Sequence, residues 1–164
     1  MIVERCKQWV EDFVIRYNLC PFAHPFAKKG QILYRLSQKE VLGSRLHEFC
    51  EELEFLEGHT EFRTTLLIYE DEKLDFLSYL DFYDLCEAVI EKEEKPFQLA
   101  SFHPHYCFSG VAYSDPANLS NRSPYPIIHI LRLDDVAAAI ASHPDTTLIP
   151  EKNINFLRQK YGKR

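Results

Sequence analysis

Several things are missing from this chain, and each absence removes a class of protein. No apolar run among the 164 residues approaches the roughly 18 residues that a membrane-spanning helix needs. The N-terminus, MIVERCKQWVEDF, places charges at positions 4, 5 and 7 where a secretory signal would have its apolar core. The five cysteines (Cys6, Cys20, Cys50, Cys86, Cys107) are odd in number and include no CxxC pair. A disulfide framework is therefore not expected, and a reduced cytoplasm fits best. Asn118-Leu-Ser120 and Asn121-Arg-Ser123 match the glycosylation sequon, which has no force without a secretory signal. Basic residues are outnumbered 19 to 25, for a net charge of −6, and cluster only in the tail 158–164. Nucleic acid is thus not expected as a partner, because its phosphates call for a basic face. No HExxH motif, internal repeat, low-complexity segment or linker is present. The expectation is one domain over residues 1–164, with no nucleic acid and no membrane; nothing specifies a cofactor or an oligomeric state.

Alternating helical and strand-like stretches fill the chain. Cys6, Trp9, Val10, Phe13 and Tyr17 form one apolar stripe and predict a helix over 2–17, ended near Asn18 by the prolines that follow. Residues 19–26 (LCPFAHPF) are expected as a proline-stiffened link. QILYRL at 31–36 reads as a strand. Ser37 and Glu40 have capping-box spacing ahead of a helix carrying Leu42, Leu46, Phe49, Leu53 and Leu56, which Gly58 ends. FRTTLLIY at 62–69 is the clearest strand, closed by the acidic turn 70–72. A helix over 74–91 has apolar residues most of the way round and is expected to be buried on more than one side. On its edge, Asp81, Asp84 and Glu87 form an acidic row. Two shorter helices are expected near the end, one capped by Asp134-Asp135 over 136–142. The other opens at Pro150 and turns Ile154, Leu157 and Tyr161 inward. Strands alternating with such helices imply α/β (α+β) architecture: one mixed sheet of four or five strands with packed helices, a ferredoxin-like sandwich being the alternative.

The chemistry concentrates between two further strand-like runs, 97–103 and 127–132. The connection holds His103, His105, Tyr106, Cys107, Asp115, Asn118, Asn121 and Arg122 among several prolines. Compact domains seldom carry so long a connection without a use for it. His103 and His105 alternate but are separated by Pro104, which weakens them as a chelating pair. His129 lies mid-strand, where a hydrogen-bonded core histidine is the simpler reading. Arg122 beside Asn118, Asn121 and Ser123 could cradle an anion, or could fasten the loop. Arg132 follows on the strand, and a pair with Asp81 or Asp84 would be the structural use of either arginine. Cys20, just past a helix end, is either a nucleophile or a small buried hydrophobe.

The chain resembles a known family. Asn18-Leu-Cys-Pro-Phe-Ala23 with Gly30-Gln31 carries the likeness, with Asp81-Phe-Tyr-Asp84-Leu and Gln98-Leu-Ala-Ser-Phe-His-Pro104 followed by Tyr106 and Phe108. Asn121-Arg-Ser-Pro-Tyr-Pro126 with His129 and Leu131-Arg132 completes it. Together they are similar to the bacterial domain-of-unknown-function family 1415, over nearly the whole chain. The resemblance implies a single cytoplasmic domain and marks Cys20, His103, Tyr106, Asn118, Asn121, Arg122 and His129 as signature positions. It implies no activity.

Three functions stay open. The first is a small-molecule enzyme or binder for an anionic carboxylate or phosphate. Asn118, Asn121 and Arg122, with His129 and Arg132, would hold the substrate, His103 would be the acid/base, Cys20 the nucleophile and Tyr106 a proton donor. Such a fold would be expected to bind its ligand at the strand carboxyl ends. The second is a non-catalytic interaction or structural module. The third is metal binding through Cys20, His103, His105 or His129.

Overall fold

The computed structural model describes residues 1–70, 74–142, 145 and 148–162; the middle and end of the expected acidic turn and the last two residues of the basic tail lie outside them. The chain opens with α1 (Ile2–Trp9), which passes directly into a π-helix (Val10–Ile15). Arg16 N–H and Leu19 N–H reach back five residues, to Glu11 O and Val14 O. The stripe read as one continuous α-helix is thus underwound into a wider turn halfway along. Asn18, at φ 51°, ends it in the left-handed conformation that Asn tolerates better than most residues. The expected link contains a short helix, α2 (Ala23–Lys28), with Pro25 in its first turn, where the missing N–H costs nothing.

β1 (Ile32–Ser37) follows, then α3 (Leu42–Gly58), β2 (Thr64–Tyr69), α4 (Phe76–Lys92), β3 (Phe97–Phe102), a 3₁₀ helix (Pro116–Asn121), β4 (Ile127–Arg132), α5 (Leu133–Ser142) and α6 (Ile149–Tyr161). The sheet is four-stranded, in the order β1-β2-β4-β3. β1 and β2 are parallel, and β4 runs antiparallel to both β2 and β3. This is the expected mixed sheet, and a single domain. Every residue of β2 is buried, as a central strand rich in Thr, Leu and Ile requires.

Side-chain alternation divides the sheet into two unlike faces. Leu67 and Tyr69 of β2, Leu99 of β3, and Ile128 and Ile130 of β4 meet Phe49, Leu53 and Leu56 of α3 and Tyr79, Phe82, Cys86 and Ile90 of α4 in the main core. The second face carries a smaller cluster in which Leu66, Ile68 and Ile127 pack on Cys6 and Val10. Helices on both faces set the fold apart from a two-layer ferredoxin-like sandwich.

Some local expectations differ from what is found. Ser37 is the last residue of β1 and gives its hydroxyl to Glu48, so it caps no helix; α3 begins after Val41 with no side-chain cap. α4 buries one stripe only, leaving Leu77 and Leu85 exposed. Its N-cap is Asp75, which accepts from Leu77 N–H and Ser78 N–H at 3.0 Å each. α5 starts directly from β4, so Asp134 and Asp135 sit inside its first turn, where Asp135 pairs with Arg63. In α6 Leu157 is buried as expected while Tyr161 is exposed. Among the described residues no helix is long and apolar enough to cross a membrane.

Candidate functional site

α3 and α4 both lie on the first face, so the second must be covered by whatever the termini supply. α1 covers Leu66, Ile68 and Ile127. The rest of that face is roofed by the π-helix, the 19–26 segment and α6, and beneath them a two-lobed cavity remains. Its inner lobe, about 50 Å³, reaches Trp9, Val10, Ile32, Thr64 and Leu66. The outer lobe, about 420 Å³, extends to Ala100, Phe108, Ser120, Asn121, Pro150 and Asn153. Both lobes share Val14, Cys20, Phe22, Phe102, His129 and Leu131.

Each wall is held by its own contacts. Phe102 meets the Trp9 ring edge-on at 5.4 Å between centroids. Its N–H donates to Tyr79 Oη (2.9 Å), whose own proton goes to Ile127 O (2.7 Å), tying the ends of β3 and β4 to α4. α6 is fastened over the outer lobe by Asn153 Nδ2, which donates to Leu19 O (2.8 Å), and by two bonds from Arg158 to the Asp115 carboxylate (3.1 and 2.9 Å). Asp115 also accepts from Ala117 N–H at the start of the 3₁₀ helix, and these bonds hold its carboxyl below the usual range.

The polar groups of the cavity are few. His129 Nε2 is 2.7 Å from Thr64 Oγ1, and the Thr64 hydroxyl donates to Ile130 O at 2.6 Å. Burial pushes the His129 imidazole down to about 4, so it is neutral at pH 7. The Cys20 thiol is pushed up by burial, against a smaller opposing pull from the Phe22 and Ala23 amides. Asn121 donates to Ser101 O (2.9 Å) and accepts from Ser120 Oγ (2.8 Å), blocking part of the open edge of β3.

Of the residues singled out from sequence, Cys20, Asn121 and His129 therefore share one cavity. The others lie elsewhere. His103, 2% exposed, has both ring nitrogens engaged, Nε2 donating to Leu74 O (2.9 Å) and Nδ1 accepting from His105 N–H (3.0 Å). It borders a separate depression of about 330 Å³ at the carboxyl ends of β2 and β3, beside Arg5, Glu70, His105 and Tyr125, and burial lowers its pKa. Tyr106 Oη meets Ser101 Oγ at 3.0 Å. Arg122 donates to Tyr106 O (3.0 Å) and Tyr113 O (2.7 Å) and lies over the Tyr113 ring. Asn118, fully buried, accepts from Phe108 N–H (2.9 Å) and donates to Ala112 O and Tyr113 O. These two fasten the long loop through backbone groups, and among the described residues neither Arg122 nor Arg132 pairs with Asp81 or Asp84, so that expected pair is not formed. Arg132 donates to Leu56 O, His59 O and Phe62 O, closing the C-terminus of α3. Cys107 points its thiol at Val111 O (3.3 Å), and His105 meets Tyr113 Oη (3.0 Å). Among the described residues no three His, Cys, Asp or Glu side chains gather as a metal ion would need.

Thr64, Phe102, Leu131 and Asn153 belong to the cavity and were not apparent as site residues. Alternation about His129 would have placed Leu131 on its face; Thr64 reads as an ordinary strand residue. Asn153 reaches the site only because α6 folds back over it.

The model of the family described as "Protein of unknown function (DUF1415)" matches residues 1–164, and the chain belongs to that family. No curated protein and no solved structure is matched by the chain.

Proposed function

We propose that this domain binds a small, predominantly apolar molecule in the cavity between its second sheet face and the N-terminal segment. The observation that carries this is the outer lobe itself. At about 420 Å³ it falls within the roughly 300–1,000 Å³ typical of ligand sites. Its walls follow the same pattern, mostly apolar and aromatic with a few placed polar groups. The π-helix over it supports the assignment, since such turns are frequent at functional sites.

The proposal replaces the anionic substrate expected from sequence. Among the described residues no Lys or Arg lines either lobe, so a carboxylate or phosphate entering there would lose its hydration without a counter-charge. Arg122, the cation expected to hold it, is engaged by loop carbonyls. Cys20 serves as wall in this proposal, its thiol kept protonated by burial.

The test is binding of the neutral fluorescent probe N-phenyl-1-naphthylamine to the parent protein and to Ala100→Phe. Ala100 is paired with His129 across β3 and β4 and lines the outer lobe. Saturable fluorescence enhancement by the parent, lost in a variant with an unchanged far-UV spectrum, supports the proposal. Equal enhancement by both proteins places the probe elsewhere and contradicts it.

A further inference from the structure

The cavity's polar atoms can be sorted by what each still offers. Thr64 has one hydroxyl proton, and it is directed to Ile130 O. The oxygen can therefore only accept from His129, which fixes the proton of the neutral ring on Nε2 and leaves Nδ1 as a bare acceptor. Nδ1 has no partner among the described residues. Among the described residues the one buried side-chain nitrogen or oxygen without a partner is Tyr69 Oη. Nδ1 is therefore reachable, and the space beside the ring is the cavity, since His129 lines both lobes. The surrounding wall is aromatic, from Phe22, Phe102 and Phe108.

Resting on the pocket proposed above, we infer that its ligand is a neutral aromatic hydrogen-bond donor, a phenol or indole type, whose O–H or N–H points at His129 Nδ1. A donor placed there completes the chain from ligand to His129 to Thr64 to Ile130 O, in which every proton has one acceptor. A carboxylate in the same place would set a lone pair against a lone pair. An ether of the same shape would fill the cavity and leave Nδ1 unpaired.

Trp9 is the single tryptophan of the chain and lines the inner lobe, so its emission reports occupancy. The experiment titrates 4-ethylphenol, 4-ethylanisole and 4-ethylbenzoate into the full-length protein at pH 7.5, following Trp9 emission and backbone amide shifts. The phenol is expected to bind about tenfold more tightly than the ether, the worth of one hydrogen bond to a group otherwise left unpaired. The benzoate is expected not to saturate. His129→Phe keeps the ring volume and should bind phenol and ether alike, the retained ether binding showing that the cavity is intact. Thr64→Val, which releases Nε2, should narrow the same gap if the first variant does not fold. Equal affinity of the parent for phenol and ether, or preference for the benzoate, overturns the donor assignment and leaves the pocket standing. No saturable binding of any of the three, with no amide shifts around the cavity, overturns both.

Discussion

The His129 ring is tied to Thr64 on the adjacent strand, Nε2 to Oγ1 at 2.7 Å, and Thr64 is tied in turn to Ile130 O at 2.6 Å. Two neighbouring strands thus fix the tautomer of one imidazole and leave its remaining nitrogen as an acceptor on a residue that lines the cavity. The expected consequence is direct: in nitrogen-15 spectra of labelled histidine at pH 7, His129 shows a protonated Nε2 and an unprotonated Nδ1. The opposite tautomer, or rapid exchange between the two, would contradict the arrangement.

The same burial has a pH signature. The folded His129 pKa is about 4, below the unfolded value of about 6.5. Between those values the unfolded chain takes up a proton that the folded chain refuses. Stability from this group is complete above pH 6.5 and falls as pH drops toward 4. At pH 5 the loss is about 1–2 kcal/mol. Burial lowers His103 in the same direction. Urea denaturation at pH 7.5 and pH 5 should show a smaller drop for His129→Gln than for the parent, and equal drops would argue against a depressed His129.

Asn118 is predicted to act on stability rather than on ligand binding. Its amide satisfies Phe108 N–H, Ala112 O and Tyr113 O at a fully buried position. Asn118→Ala leaves buried backbone groups unpaired and should cost about 2–4 kcal/mol. The check is the denaturation midpoint, with N-phenyl-1-naphthylamine affinity per folded molecule unchanged.

Cys20 should be a slow thiol. With its pKa raised by burial and no cation among the described residues of the cavity wall, little thiolate exists at pH 7.5. Mass-spectrometric mapping of iodoacetamide labelling is expected to find Cys20 modified more slowly than an unfolded-chain control, and more slowly still with 4-ethylphenol bound. Rapid labelling would restore the nucleophile expected from sequence.

α6 is fastened by an exposed pair, so its attachment can be loosened on its own. Arg158→Ala removes both bonds to Asp115. Hydrogen exchange should accelerate over residues 149–161 and remain unchanged in β2 and β4. Uniform acceleration would show that α6 is integral to the core.

How much of this could be read from the chain depends on the range of the interaction concerned. β2 and α3 were legible because local periodicity and burial agree there. The expected Ser37 cap does not form, because β1 runs one residue further and Ser37 turns to Glu48, a choice made by the packing of α3. The π-helix leaves no local mark, since a stripe at three- and four-residue spacing fits either winding. At the site, Cys20, Asn121 and His129 stood out as chemical types. Their meeting depends on the chain's two ends covering one sheet face, which no local pattern encodes. Arg122 and Asn118 drew attention for the same chemistry that makes them good loop fasteners. Only their hydrogen-bond partners, all backbone groups, separate the two roles.

The most direct measurement is a crystal structure of the protein soaked with 4-ethylphenol. The result expected is one molecule between Phe22, Phe102 and Leu131, its hydroxyl within hydrogen-bonding distance of His129 Nδ1. An empty cavity, with the phenol bound only on the outer surface or not at all, would contradict the proposed site.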